Sequence, residues 1–223
     1  MAEQSKTVDS ALTLLSLLAD DADRPAGWSA AALARALGLS RSAVARLLAT
    51  LEAHGLARRA GQGWGPGLGL LALAAGIEPR LRSLARHELE GLAARFRETA
   101  VLSVRDGDEV VAVDQVVGDA GVVQVHYRTG TRHPLDVAAS GRVLVPGGAA
   151  GAVFTEGELE PGVRGVAAAV LDGGLPVASI AVVAPVHRFP PDDAVAPAVV
   201  ESARRVSAGM ARPVPSTASP GRS

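Results

Sequence analysis

The sequence has no cysteine and lacks the short motifs that identify common enzyme classes. The absence of cysteine excludes disulfides, thiolate catalysis and thiolate metal sites, and it fits a reducing cytosol. A G-x-S-x-G elbow, a P-loop and an H-E-x-x-H pair are also absent. No histidine or acid is expected to activate Ser140. An enzyme is therefore kept only as a remote alternative.

Features of metal-binding and membrane proteins are missing as well. His87, His126, His133 and His187 are scattered without a short ligand spacing, so we expect no metal and no cofactor. The first residues carry no basic signal-peptide region, and no window approaches the roughly 20 uninterrupted apolar residues of a membrane helix. We therefore expect a cytoplasmic protein with no membrane partner.

The formal net charge of -1 by itself argues against nucleic-acid binding, but the charge is distributed unevenly along the chain. Residues 33–66 contain five arginines against one acid, a local balance of +4, whereas residues 1–32 carry -3. Positive charge is thus concentrated where phosphate contacts would need it. The length of 223 residues and 48% hydrophobic content favour two packed domains.

Residues 29–59 have the pattern of a helix-turn-helix followed by a wing. The second helix carries apolar residues at i, i+3, i+4 and i+7, from Val44 to Leu51. Gly38 suits the C-terminal end of the preceding helix, and Ser40 suits the N-cap of the next. So short a turn prevents antiparallel packing, and the resulting angled pair is the unit that places its second helix in the major groove of DNA.

The residues off the apolar stripe near the start of that helix would point outward. Arginine can bond a guanine edge or a phosphate, serine can bond either, and alanine leaves room for a thymine methyl. Behind them, a basic pair and a Gly-rich turn predict a two-stranded wing, with Trp64 packed beneath it or stacked at its edge; we favour packing. The predicted DNA contacts are Ser40, Arg41, Ser42, Ala43, Ala45, Arg46, Arg58 and Arg59. The alternative is an ordinary solvated helix face.

The other segments follow from hydrophobic periodicity. A supporting helix is expected from Ser5 to Ala19 on a stripe of Val8, Leu12, Leu15 and Ala19, which Leu14, Leu17 and Leu18 widen. Further helical spacing runs from Leu68 to Glu98, with apolar residues to spare for dimerisation. From Thr99 the period changes to two. We predict a hairpin around Asp106-Gly107, a third strand over 123–128, a short helix over 137–145, strands over 165–172 and 177–184 joined at Gly173-Gly174, a helix over 191–210, and a disordered tail.

The residues themselves suggest an anion site in the second half. Gly130-Thr131 form a tight turn with Arg128, Arg132 and His133 nearby, and a helix is expected to begin near Ser140-Gly141. Backbone amides and positive charge would then converge. The alternative, a capped and solvated loop, stays open.

With these segments placed, the chain resembles the isocitrate lyase regulator (IclR) family of transcriptional regulators over nearly its full length. The resemblance rests on the reading helix at 39–51 and on two segments, 128–144 and 160–168. It implies an α+β fold: an N-terminal winged helix-turn-helix domain, a linker helix used in dimerisation, and a C-terminal GAF-like antiparallel-sheet sensor domain. It also implies that small, often carboxylate-bearing effectors bind there, at Gly130, Thr131, Thr155, Gly165, Ala181 and Val183, to which we add Ser140.

The chain departs from the family pattern at the effector site. The family usually has an acid, a cysteine and two serines at the last four of those positions, and it carries several tens more residues between Val145 and Phe154. We therefore expect a truncated sensor domain with weak affinity for a ligand that has one anionic end and an apolar body. A degenerate sensor domain that serves only oligomerisation is the alternative.

The sequence thus predicts a transcriptional regulator whose operator affinity is controlled by a small-molecule effector. The expected divisions are a DNA-binding domain (1–66), a linker helix (67–78), a sensor domain (79–212) and a disordered tail (213–223). The expected partners are double-stranded operator DNA of near-palindromic sequence, the effector, and further copies of the chain in a homodimer or tetramer.

Overall fold

The computed structural model describes residues 5–20, 26–119, 121, 124–145, 147 and 151–211. The chain divides into two compact units, Met1–Glu78 and Pro79–Ser223. The predicted tail lies outside the described residues, as does Val123 of the predicted third strand.

The first unit consists of three helices, a two-stranded hairpin and a short fourth helix. The elements are α1 (Lys6–Asp20), α2 (Ala30–Leu37), α3 (Arg41–Ala53), β1 (Ala57–Ala60), β2 (Gly63–Pro66) and α4 (Gly69–Ala75). Leu14, Leu18, Leu33, Val44 and Leu48 are almost fully buried and form the centre of its core. Burial of such side chains contributes roughly 1.5–3 kcal/mol each relative to exposure.

The helix-turn-helix prediction is confirmed, including both caps. The Ser29 hydroxyl accepts a hydrogen bond from a backbone N–H in the first turn of α2, and Gly38 ends that helix with φ of 64°. A left-handed residue costs little only when it is glycine, which explains this stop signal. The wing prediction is also confirmed, because β1 and β2 pair antiparallel from Ala57↔Pro66 to Ala60↔Gly63.

The predicted apolar stripe of α1 is buried only on the side of the residues that widen it. Val8 and Leu12 are exposed, whereas Leu14 and Leu18 are the buried residues of this helix. The helix is apolar on more than one side, so its periodicity alone did not determine which side packs against α2 and β2.

The second unit is a six-stranded antiparallel sheet with helices. Its elements are α5 (Pro79–Phe96), β3 (Thr99–Asp106), β4 (Glu109–Val116), β5 (Arg132–Pro134), α6 (Ala138–Arg142), β6 (Val153–Glu156), β7 (Val163–Asp172), β8 (Leu175–Pro185) and α7 (Asp192–Met210), with a 3-10 turn at Val186–Arg188. The strand order is β5-β4-β3-β8-β7-β6. Large residues of α5 and α7, among them Leu89 and Val199, pack on one face of the sheet against Leu102, Ile180 and Val182.

Alternate residues of a strand point to opposite faces, so the other face of β8 carries Ala181 and Val183. Ala181 packs there with Ala139 and Leu144, from α6 and the residues that follow it. This second face is more sparsely covered than the first, and it holds the cavity described below.

The predicted third strand is not found at residues 124–128, which have no strand structure. The Tyr127 N–H donates to the side chain of Gln115, and the Thr99 hydroxyl donates to the Val125 carbonyl, so these bonds involve side chains rather than a ladder. The outer edge of β4 is instead paired with β5. Alternation of apolar residues in this segment indicated an extended chain but could not supply a backbone partner.

Candidate functional sites

The N-terminal half of α3 presents a basic, exposed surface. Arg41, Ser42, Ala45 and Arg46 are exposed, whereas Ala43 is half-buried. Within the described part of the chain, the side chains of Arg41 and Arg46 make no ion pair. Their charges are therefore available to an external anion.

Ser40, one of the predicted DNA contacts, is also the N-cap of α3 that the sequence predicts. Its hydroxyl accepts from the Ala43 N–H at 3.2 Å and lies 3.1 Å from the Ser42 hydroxyl. An N-cap of this kind stabilises a helix by about 1 kcal/mol. In this structure Ser40 therefore begins and stabilises α3, with its hydroxyl already engaged.

A shallow cleft of about 320 Å³ beside α3 includes Lys6, together with Ala43 and Arg46. Lys6 was not among the predicted contacts, because the first 32 residues were assessed by their net negative charge. The fold brings this cation from the start of α1 to the same surface as Arg46. A charge count along the sequence cannot show that two residues this far apart in the chain lie on the same surface.

The wing arginines are partly held by the protein. The Nε of Arg58 donates to the Pro66 carbonyl at 3.0 Å, and the Arg59 guanidinium lies 4.0 Å from the centre of the Trp64 ring. Trp64 is buried, which confirms that it packs beneath the wing. Backbone hydrogen bonds in both directions between Trp28 and Trp64 also tie β2 to the segment before α2. Arg58 and Arg59 stay exposed on this fixed hairpin.

In the second unit, five of the seven predicted effector positions line one cavity on the sparsely covered face of the sheet. They are Ser140, Thr155, Gly165, Ala181 and Val183. The cavity volume is about 30 Å³, which is room for roughly one or two water molecules. Strands β6, β7 and β8 place four of these positions beside one another, through the pairs Thr155↔Gly165, Gly165↔Val183 and Ala167↔Ala181.

Gly130 and Thr131 do not line this cavity, and their amides are engaged. The Gly130 N–H donates to the Ala112 carbonyl at 2.7 Å, and the Thr131 N–H donates to the Arg128 carbonyl at 2.9 Å. The neighbouring Arg132 pairs with Asp106 and Glu109, and the hydrogen bonds that it donates to these acids raise its pKa. This turn is therefore a capped loop in the present structure, which was the alternative to an anion site.

The polar groups at the α6 end of the cavity are satisfied internally. The Ala138 N–H donates to the Glu158 carboxylate at 2.9 Å, and the Ala139 N–H donates to the Thr155 hydroxyl at 3.0 Å. Glu158 also pairs with Arg142 at 2.7 Å. The protein thus supplies its own carboxylate at this end of the cavity.

Contrary to the sequence-based expectation, Ser140 has a histidine partner. The Nε2 of His133 lies 3.1 Å from the Ser140 hydroxyl, and Nδ1 lies 3.0 Å from the Pro134 carbonyl. Because a carbonyl can only accept, the proton belongs on Nδ1 and the hydroxyl donates to Nε2. The partner of Nδ1 is a backbone carbonyl rather than the carboxylate of a catalytic triad. The two residues are seven positions apart in sequence, and the turn between β5 and α6 brings them together.

Sequence reasoning also missed three polar residues at or beside the cavity. Ser103 and Tyr127 line it, and burial raises the pKa of Tyr127 to about 12. Ser179 stands opposite Ser103 in the β3–β8 register and is fully buried. A serine at an inward position of an otherwise apolar strand was the available signal for both serines.

The described residues contain no group of three or more histidines, aspartates or glutamates placed to hold a metal ion. No helix in the described part of the chain is long and apolar enough to span a membrane.

Comparison with known proteins agrees with this architecture. The IclR helix-turn-helix domain matches residues 7–61, and the C-terminal domain of bacterial transcriptional regulator IclR matches residues 78–147. The chain belongs to the IclR family. The transcriptional regulator TtgV of Pseudomonas putida is 32% identical over 125 residues, which cover 54% of this chain and 47% of that protein. The match therefore spans about half the length of this curated relative.

Two solved structures show the same fold. An IclR transcriptional regulator from Alicyclobacillus acidocaldarius is 21% identical with a TM-score of 0.75, over 93% of this chain and 100% of that one. An IclR homologue from Microbacterium hydrocarbonoxydans, complexed with 4-hydroxybenzoate, is 21% identical with a TM-score of 0.75, over 92% and 99%. These relatives are regulators rather than enzymes.

The α+β fold class is confirmed, but truncation of the sensor domain is not. The two solved chains are matched over 99–100% of their length. The segment that is shorter than the family pattern lies in the connection between α6 and β6. Its shortening therefore leaves all six strands of the sheet in place.

Proposed function

We propose that this protein is a DNA-binding transcriptional regulator in which a small molecule, bound in the cavity on the sheet, controls affinity for an operator. Residues 1–66 would bind DNA, 67–78 would link, and 79–212 would sense the effector. The observation that carries the DNA-binding part is the capped helix α3 with Arg41 and Arg46 exposed and unpaired with any described residue. A helix of this kind docks in the major groove, where arginine reads guanine or neutralises phosphate.

Fluorescence anisotropy on the DNA upstream of the protein's own gene tests this proposal. We expect Arg41→Ala and Arg46→Ala each to weaken specific binding by about 1–3 kcal/mol if they contact bases. Arg58→Ala should weaken binding to all DNA similarly and lower the salt slope by about one. Arg95→Ala, which removes an exposed arginine of α5 in the other unit, is the matched control. Unchanged binding by the Arg41/Arg46 double variant would refute the reading helix.

The same proposal includes a homodimer, because α4 has no buried residue. Leu68 and Leu71 are each 69% exposed, Leu73 is 63% exposed and Ile77 is 55% exposed. A second copy would cover this apolar surface, and twofold symmetry would then favour a near-palindromic operator.

Light scattering of the full chain at micromolar concentration tests the dimer. Leu71→Asp should shift the protein toward monomer, because dimerisation would bury the new charge. Leu175→Asp, at a similarly exposed leucine that begins β8, should leave the mass unchanged. A wild-type protein that is monomeric with and without DNA would contradict the proposal.

Effector control is supported by the convergence of five predicted positions on one cavity. The family resemblance implies a carboxylate effector, and the ligand of the Microbacterium homologue has both a carboxylate and a phenolic hydroxyl on an aromatic ring. The small volume of about 30 Å³ favours a second candidate, a sensor domain that serves only oligomerisation. A change in operator affinity on addition of a ligand that binds the sensor domain distinguishes the two.

A further inference from the structure

The charged residues that line the cavity are acids. Glu158 and Glu160 contribute to the lining, and the described lining residues include no lysine, arginine or histidine. A ligand carboxylate entering this space would meet like charge. Both glutamates are exposed and Glu158 is paired with Arg142, which weakens the repulsion, but neither residue offers a positive charge to a ligand carboxylate.

Positive groups beside the cavity are already engaged. The guanidinium of Arg142 donates from Nη2 to Glu158 and from Nε to the Asp136 carbonyl at 3.3 Å. Both ring nitrogens of His133 have partners, as described above. The two N–H groups at the start of α6 are likewise bonded to Glu158 and Thr155. A buried carboxylate without a compensating partner is costly, so the lining disfavours an anionic ligand.

A neutral hydroxyl near the cavity, in contrast, is free to form a hydrogen bond. Ser179 is fully buried, and its hydroxyl has no partner among the described residues. It lies on the same face of β8 as Ala181 and Val183, which line the cavity, and directly across from the cavity-lining Ser103. An unsatisfied buried hydroxyl destabilises the folded protein, so a ligand group that bonds it would recover free energy.

We propose that the effector is a neutral molecule with an apolar, ring-sized body and a hydroxyl that hydrogen-bonds Ser103 and Ser179, rather than a carboxylate. This rests on the proposed function, since it names the ligand class of the same cavity. The body would pack on Val101, Ala181 and Val183, which contribute apolar lining.

A ring needs more than the present volume, and the β6–β7 connection offers a way to provide it. Leu159 and Glu160 of this connection line the cavity, and Gly157 and Gly162 flank them with φ of 70° and 78°. A Cβ added at either glycine would meet nothing within 4 Å. A change of conformation at these two residues would shift Leu159 and Glu160 outward, at the cost of the hydrogen bonds that join Gly157 to Val163 and Gly162 to Val186.

Three probes with one body and different end groups test the ligand class: benzyl alcohol, benzoate and benzylammonium. In calorimetry of the full chain at neutral pH, we expect benzyl alcohol to bind at least about tenfold more tightly than benzoate. Benzoate binding as tightly as the alcohol would overturn the proposal. Tighter binding of benzylammonium would also overturn it, because the acids would then dominate recognition.

Variants test the two serines. Ser103→Ala and Ser179→Ala should each weaken benzyl alcohol binding about tenfold, since each removes a hydrogen bond to the hydroxyl. Ser83→Ala, at an exposed serine of α5, is the control and should bind like wild type. Ser179→Ala should also raise thermal stability, because it removes an unsatisfied buried hydroxyl. Unchanged alcohol affinity in both cavity variants would overturn the assignment.

A charge variant provides an independent measurement. Glu160→Gln should strengthen benzoate binding about threefold while leaving benzyl alcohol unchanged, because only the anion is repelled by the removed charge. An equal effect on both probes would overturn the electrostatic explanation.

Operator binding is measured in the same samples, so that the two proposals can fail separately. If none of the probes binds while operator binding stays intact, the ligand class is refuted and the DNA-binding function survives. If the probes bind as expected but no DNA is bound, the regulator proposal fails while the ligand class stands.

Discussion

The ion pair between Glu98 and Arg188 should be asymmetric in its contribution to stability. Nε and Nη2 of the arginine donate to the two carboxylate oxygens at 2.6 and 3.2 Å, which joins the residue before β3 to the 3-10 turn after β8. The glutamate side chain is 4% exposed, whereas the arginine side chain is 22% exposed. Water can therefore replace a lost partner for Arg188 far better than for Glu98.

Arg188→Ala leaves a buried carboxylate without its ion-pair partner, and we expect a loss of about 3–5 kcal/mol. Glu98→Gln keeps the shape and leaves a partly hydrated guanidinium, so about 1–2 kcal/mol is expected. In the double variant no buried charge remains unpaired, and its cost should fall below the sum of the single costs by about 1–3 kcal/mol.

Urea denaturation of the full chain, followed by circular dichroism, measures these losses. Tryptophan fluorescence provides an internal reference, because Trp28 and Trp64, the two tryptophans of the chain, both lie in the first unit. The variants should shift the transition of the second unit more than the fluorescence transition. Equal losses for Arg188→Ala and Glu98→Gln, or strictly additive losses in the double variant, would refute the reasoning from unequal exposure.

Three further outcomes are expected. Hydrogen bonds from Arg205 lower the pKa of Glu88, so their contribution is present above the ordinary glutamate pKa of about 4.3 and is lost as pH falls through the lower folded-state value. Glu88→Gln should therefore cost about 1 kcal/mol in urea melts at pH 7 and almost nothing near pH 3. Gly67→Ala would drive a Cβ into the Gly55 carbonyl oxygen and should lower stability in fluorescence-detected melts by about 2–3 kcal/mol. Ser29→Ala removes the cap of α2 and should cost about 1 kcal/mol in the same melts.

Local chemistry determined most of the first unit. Gly38 stops α2 and Ser40 caps α3 through contacts within a few residues, so the angled helix pair could be predicted from spacing alone. The hairpins of both units were likewise marked by turn residues such as Gly173-Gly174. The start of α7 at Asp192, after Pro191, was another local signal that held. Short-range signals succeed because the groups that satisfy each backbone N–H are neighbours in sequence.

Strand order and register determine which distant residues become neighbours at the cavity, and the sequence alone could not predict this. Ser103 and Ser179 are 76 positions apart, and only the pairing of β3 with β8 makes them neighbours. The amides of Gly130 and Thr131 were expected to face an anion, but backbone carbonyls of the same unit accept from them. Backbone N–H groups in a folded chain are nearly always paired. Which carbonyl accepts from Gly130 depends on how the strands of the sheet pack, and that packing is not visible in the local sequence.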